Sequence, residues 1–254
     1  MAENNQDHAG NASYDENFYQ AIKDGSYRSA SIILSHVTQY IRPRTVVDVG
    51  CGVGTWLAVW KKNFSADVYG IDGNYVDRSQ LFIEEENFHP ANLEEKITLE
   101  KRFDLAESLE VAEHLLPARA ESFVEDLIKL SDVILFSAAI PGQGGVNHVN
   151  EQFQSYWAEK FLKHSYVALD FLRPHIWKNN QVELWYRQNI FVYVNSTKLY
   201  RYPELQKYYL EHRKDITYDT IHPDLWIDRL RGFQNFYNQV MAQVTHQNAG
   251  GGVR

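Results

Sequence analysis

A chain of 254 residues with 44% hydrophobic and 23% charged residues can bury one sizeable core, and none of its stretches reaches the roughly 18 apolar residues of a membrane span. The formal charge of −8, without a lysine- or arginine-rich block, argues against a nucleic-acid substrate, because phosphate contacts need a concentrated basic surface. One cysteine excludes an internal disulfide framework, and the polar stretch Met1 to Asn11 lacks the apolar region of a signal peptide, so a cytoplasmic protein with no membrane attachment is expected.

Residues 1–13 are polar, rich in Asn, Asp and Gly, and are expected to be disordered. Helical patterns follow at 14–23 and 26–41, the second carrying Ile33, Val37 and Ile41 at four-residue spacing until Pro43 ends it. Alternation then begins, with strand 45–49, helix 54–63, strand 67–72, an irregular or helical piece near 77–82 and a short strand near 84–88. Strand 103–108 precedes a helix opened by Pro117, with Phe123, Leu127 and Leu130 on one face. The continuous apolar run 132–139 has the character of a strand buried on both sides of a parallel sheet, and it stops at Pro141-Gly-Gln-Gly-Gly145. Helix 151–164 and strands 166–172 and 186–194 complete the alternation. Beyond Ser196 lie helical patterns at 203–213 and 223–245, the latter carrying Leu230, Phe233, Tyr237, Val240 and Val244, and then an unpatterned tail, 247–254. Three roles are open for this addition: a lid, an arm for a homodimer, or packing. The division expected is a tail at 1–13, a catalytic domain at 14–196, a helical extension at 197–246 and a second tail.

The chemistry concentrates in Thr45-Val-Val-Asp-Val-Gly-Cys-Gly-Val-Gly-Thr55, an apolar strand running into a glycine loop. Gly50, Gly52 and Gly54 permit close approach of backbone and ligand, and Asp72 falls where the next strand ends, suited to accepting both hydroxyls of a ribose. The spacing is G-x-G-x-G, not the G-x-G-x-x-G of a dinucleotide site, and Asp48 lies two residues before the first glycine. A carboxylate there repels a phosphate and suits an ammonium group. A ligand carrying both a ribose and an amino acid is S-adenosylmethionine.

At this point Val46 to Thr55 resembles the first motif of the class I S-adenosylmethionine-dependent methyltransferases. The likeness continues in family order through Tyr69-Gly-Ile-Asp-Gly73, the run Phe103 to Leu115 and Val133-Ile-Leu-Phe-Ser-Ala-Ala-Ile-Pro141, covering roughly residues 26–195. The resemblance implies an α/β fold: a seven-stranded, doubly wound, Rossmann-like sheet ending in an antiparallel hairpin, with N-terminal helices before it and the C-terminal helical extension after it. It implies a cofactor site at Asp48, Gly50, Cys51, Gly52, Gly54, Asp72 and Gly73. Asn92 and Leu93 stand where the family meets adenine, and Ser108 and Leu109 follow in its next motif. Arg28 and Ser29 are in place to reach the methionine carboxylate.

Catalysis by such an enzyme is mainly positioning, with removal of a proton where the acceptor needs it. His148, after the strand facing the transferable methyl, is of a residue type suited to a general base, and Glu110 is the second candidate. If 110–114 form a helical turn, Glu110, Glu113 and His114 share a face, and with His148 they resemble the E-x-x-E-H metal site of some ubiquinone-pathway and small-RNA methyltransferases. The same run is widespread in the family without metal, so a divalent ion is left open and not favoured. The function expected is O-methylation of a small polar metabolite, such as a sugar or natural-product intermediate. Transfer or cyclisation of the cofactor's aminobutyrate arm, and a non-catalytic partner subunit, are the alternatives.

Overall fold

The computed structural model describes residues 16–250, and their side chains over 25–242. Seven strands form one sheet in the order β3-β2-β1-β4-β5-β7-β6. They are β1 (Thr45–Val49), β2 (Asp67–Asp72), β3 (Phe88–Pro90), β4 (Leu105–Leu109), β5 (Val133–Ser137), β6 (Tyr166–Leu169) and β7 (Phe191–Asn195). The first five run parallel, while β7 lies antiparallel between β5 and β6. The order reverses at β1, and the carboxyl ends of β1 and β4 therefore flank the crevice in which an open α/β sheet binds ligands.

The helices cover both faces. On one side α1 (Glu16–Val37) and α2 (Thr55–Phe64) bury Ile33, Leu34, Leu57 and Trp60 against Val46, Leu105 and Leu135. On the other, α3 (Ala120–Leu130) and α4 (Gln154–Lys163) bury Phe123, Leu127, Trp157 and Phe161 against Val47, Ile134 and Phe136. The remaining helices are α5 (Arg173–Ile176), α6 (Leu184–Asn189), α7 (Pro203–His212) and α8 (Pro223–Gly250). None of the helices described is long and apolar enough to cross a membrane.

Four expectations are corrected. The two N-terminal helical patterns form one helix that runs through Gly25, which packs against Glu183. The third strand begins at Phe88, because 85–87 close into a 3-10 turn. The segment expected as strand from 186 is helix α6 up to Asn189, with the strand starting at Phe191. Its backbone follows tertiary packing in which Tyr186 and Asn189 are both buried, an outcome that local β propensity does not encode. Helix α8 continues to Gly250, through part of the tail expected at 247–254. Residues 1–15 and 251–254 lie outside the described part.

Candidate active site

A cleft of about 1160 Å3 opens at the carboxyl ends of the parallel strands. Its walls are Gly50 and Gly52, the segments 72–75 and 90–94, and then Glu110, Val111, His114, Leu115 and Asn147. Gly50 has φ 87°, and a Cβ there would meet Val111 Cγ2 at 2.3 Å, so the loop can leave β1 in this direction only with glycine.

Asp72 is the organising group. Its Oδ2 accepts the amide of Gly52 at 2.6 Å, and its Oδ1 accepts the amide of Gly73 and the hydroxyl of Tyr75, each at 2.6 Å. A carboxylate offers about four lone-pair positions, so the three donors leave one. Displacing the Tyr75 hydroxyl leaves two, the number a ribose diol requires. Tyr75 thus competes for the same oxygen, and Tyr75→Phe is expected to bind S-adenosylhomocysteine several-fold more tightly by calorimetry; unchanged or weaker binding would show that the phenol does not compete.

The other expected cofactor residues divide. Gly50, Gly52, Gly73, Asn92 and Leu93 line the cleft with Asp72, whereas Asp48, Cys51, Gly54, Ser108 and Leu109 are not in its wall. Asn92 is tied into a local turn, its Oδ1 accepting the Glu94 amide at 3.1 Å and its Nδ2 donating to Glu95. Gly54 starts α2 in a left-handed conformation over Ile83. Cys51 is a small packing residue: a Cβ on Gly70 would meet its sulfur at 2.7 Å, and burial pushes its thiol pKa far up. Ser108 is fully buried and its hydroxyl has no partner among the described residues, while Leu109 packs on the α1 face. Arg28 donates to the Gln181 carbonyl and pairs with Glu183, and Ser29 accepts the Glu183 amide, so both serve to hold α1 on the segment before α6.

Asp48 lies beneath the loop, opposite Glu107 in the β1–β4 register. Both carboxyls are buried, and Trp60 donates to Glu107 at 2.9 Å. Burial, followed by the charges of Glu107 and Asp72, holds the Asp48 pKa well above the ordinary carboxyl value. Glu107 is pushed up from 4.5 to about 8, chiefly by burial and against the Trp60 hydrogen bond. A carboxyl whose folded pKa exceeds its unfolded one contributes full stability below about 4.5, and loses it as pH rises towards 8. Glu107→Gln keeps an acceptor for Trp60 and cannot ionise, so its advantage over wild type should grow across that window to on the order of a few kcal/mol. Thermal melts of both proteins from pH 5 to pH 9 test this, and a constant difference would exclude it.

The run from Glu110 to His114 does not form one helical face. Glu110, directly after β4, is in the left-handed region, φ 58°, and only Ala112–His114 make a 3-10 turn. Glu110 is consequently directed to the cleft, where its carboxylate accepts Gln143 Nε2 at 2.9 Å and Asn189 Nδ2 at 3.0 Å. Burial raises its pKa and these amides oppose the shift. Glu113 is wholly buried, and neither carboxylate oxygen has a hydrogen-bond partner among the described residues; the amides of Glu113 and Ala139 lie near without completing one. Burial first, then Glu110, drives its pKa well up.

His148 does not line the cleft; His114 does. The two rings meet edge to face, centroids 4.8 Å apart. Behind them His148 Nδ1 contacts Glu151 Oε1 at 2.9 Å, and Glu151 accepts the amides of Gly142 and Gly144. A Cβ on Gly145 would meet His148 Nε2 at 2.2 Å, so a side chain there would displace the His148 ring. The His114 pKa is lowered by burial and then by His148, so the ring is a neutral imidazole at neutral pH. Glu113, His114 and His148 place one ligating atom each within 4.8 Å of one another, and Glu110 is not among them. Sequence spacing could not tell which of two touching histidines faces the cleft. For Gln143 and Asn189 it carried no signal, because the partners of Glu110 are remote along the chain.

The sheet order, the glycine loop and the carboxylate at the end of β2 define a nucleoside-binding α/β enzyme of the class I methyltransferase type. A family model described as a methyltransferase domain matches residues 23–166, more than half of the chain, and the chain belongs to that family of S-adenosylmethionine-dependent enzymes. No curated protein matches the sequence. Among solved structures, a sugar N-methyltransferase from a Streptoalloteichus species aligns over 77% of this chain and 98% of its own at 15% identity and a TM-score of 0.56. A magnesium protoporphyrin IX methyltransferase from Synechocystis, with S-adenosylmethionine bound, aligns over 73% and 87% at 19% identity and 0.53. An O-methyltransferase family protein from Burkholderia thailandensis aligns over 72% and 61% at 14% identity and 0.51. These likenesses concern the fold.

Proposed function

We propose that this methyltransferase transfers the methyl group of S-adenosylmethionine to a hydroxyl of a small polar metabolite of the cytoplasm, a sugar or natural-product intermediate, with His114 taking the proton. The observation that carries this reading is the His114 imidazole, its pKa lowered by burial, in the wall of the same cleft that Asp72 lines. A base whose pKa lies below the working pH is in the protonation state it needs. His148 and Glu151 act through His114, fixing its ring, and are positioning residues in this scheme. Glu110, oriented by Gln143 and Asn189, offers the cleft a carboxylate acceptor for a hydroxyl or ammonium group. That grouping of amides and carboxylate suits a hydroxylated ligand better than an apolar one.

One observation favours a second arrangement for the same transfer. The unpartnered carboxylate of Glu113, together with His114 and His148, supplies two nitrogens and one oxygen for a divalent cation that would activate the hydroxyl as a Lewis acid. Binding would displace the proton that burial holds on Glu113.

Incubation with cofactor and a panel of hydroxylated and amino acceptors tests both. S-adenosylhomocysteine should form only with an acceptor, and in excess EDTA the rate should persist if His114 is a free base and collapse, with rescue by a divalent ion, if the cluster holds a metal. Methylthioadenosine released from cofactor alone would replace the whole reading with chemistry on the aminobutyrate arm.

A further inference from the structure

Among the described residues, helix α8 is held to the body at its root and touches it again at Arg229, beside Gly144. The His222 amide is accepted by Gln188 Oε1, the His222 ring contacts the Trp177 carbonyl at 2.7 Å, and Leu225 is buried. From Trp226 to Ala242 every residue is exposed. Trp226, Leu230, Phe233, Tyr237 and Val240 succeed one another at intervals of four, three, four and three, the repeat that keeps one stripe of a helix facing a partner helix. Ile227 and Phe236 flank the stripe, with Phe233 and Phe236 exposed to 70% and 63%.

We propose that α8 is a dimerisation arm, whose stripe packs against the same stripe of a second copy of this chain. Four aromatics on it, Trp226, Phe233, Phe236 and Tyr237, carry about 150–250 Å2 each, so at the exposures seen they offer on the order of 400–600 Å2 per chain before the aliphatics are added. A stable interface takes about 800 Å2 per partner, and an apolar patch of about this extent, before the aliphatics are added, already matches the largest on a typical monomer, which often marks an interaction site. The charges along 223–242 are Asp224, Asp228, Arg229 and Arg231, which cancel, so two copies do not repel. A lipid surface is the poorer occupant: the far side of the helix presents Asn235, Asn238 and Gln239 with a single arginine, Arg231, and an acid, Asp228, where a membrane-bound helix carries a row of lysines and arginines, and the chain's charge of −8 opposes an anionic bilayer. Folding back as a lid would require breaking the root, where Arg187 also pairs with Asp224. The arm is also continuous with the active site, since the Arg229 guanidinium lies against Gly144, whose amide holds Glu151.

Sedimentation equilibrium of the full chain tests the proposal. Wild type should sediment at micromolar concentrations as twice its 29.6 kDa. Leu230→Glu and Phe233→Glu, which place a charge in the stripe, should raise the dissociation constant at least about 30-fold, whereas Asn235→Glu, on the polar side, should leave the dimer intact. Because these positions are exposed, unchanged binding of S-adenosylhomocysteine by each variant checks that the body is folded. A monomeric wild type, a dimer that persists in both stripe variants, or wild type that pellets with phosphatidylcholine–phosphatidylglycerol vesicles while remaining monomeric without them would overturn it.

Discussion

Asp72→Ala should weaken S-adenosylhomocysteine by roughly 30- to 150-fold, the equivalent of about 2 to 3 kcal/mol for two hydrogen bonds to a charged acceptor. The loss has two parts. In the proposed pose the ribose diol would lose its acceptor, and the amides of Gly52 and Gly73, both 2.6 Å from the carboxylate, lose the group that fixes the glycine loop. Asp72→Asn separates them, because its amide oxygen can still accept one backbone amide while the negative charge is gone. Calorimetry on the two variants should therefore rank wild type above Asn and Asn above Ala. If Ala bound within about threefold of wild type, less than one net hydrogen bond's worth, the cofactor would have to be held elsewhere.

His114→Ala should lower kcat by about 10²- to 10⁴-fold, the usual contribution of a positioned general base. The pH dependence gives the independent check. Burial and the adjacent His148 lower the His114 pKa below the ordinary 6.5, so kcat should rise with pH through that lowered value and stay flat across neutrality. The variant should lose this acidic limb together with the rate. His148→Ala should cost less and should move the limb part of the way towards 6.5, because it removes the second cause of the lowering and leaves the first, burial. Equal, total losses in His114→Ala, His148→Ala and Glu113→Gln, with the limb replaced by dependence on an added divalent ion, would instead identify the three as metal ligands acting together. A His114→Ala enzyme that keeps both rate and limb would leave His114 as part of the wall.

Local patterns reached the sheet because each signal is local. Strand β1, the glycine turn and β2 were legible as an apolar run, residues without Cβ and an acid at a strand end, and the continuous apolar run at 132–139 marked the buried centre. Apolar residues at 33 and 37 and at 123, 127 and 130 likewise marked the faces of α1 and α3, while Ile41, expected on the same helix, joins the core beyond its end. Element ends were less secure. Tyr186 to Asn189 carry no strong helical period, and their conformation follows from burial against α2 and Glu110 rather than from their own preferences.

The sequence by itself determined the fold, the cofactor class and the identity of Asp72 as the carboxylate at the end of β2, since all three depend on residues near one another along the chain. Tertiary structure alone decided which groups share the cleft. A left-handed residue at Glu110 separates it from Glu113 and His114, which helical spacing had joined, and places it with Gln143 and Asn189. The contact of His114 with His148 likewise puts the former in the wall and the latter behind it. The same holds beneath the loop, where the β1–β4 register sets Asp48 against Glu107 and buries it, so that the acid nearest the glycines in sequence is not the one that lines the cleft. Spacing along a chain fixes a side chain's direction only while the backbone keeps its period, and Glu110 follows the end of a strand, Asp48 and Glu107 sit where two strands pair, and His148 lies in a loop.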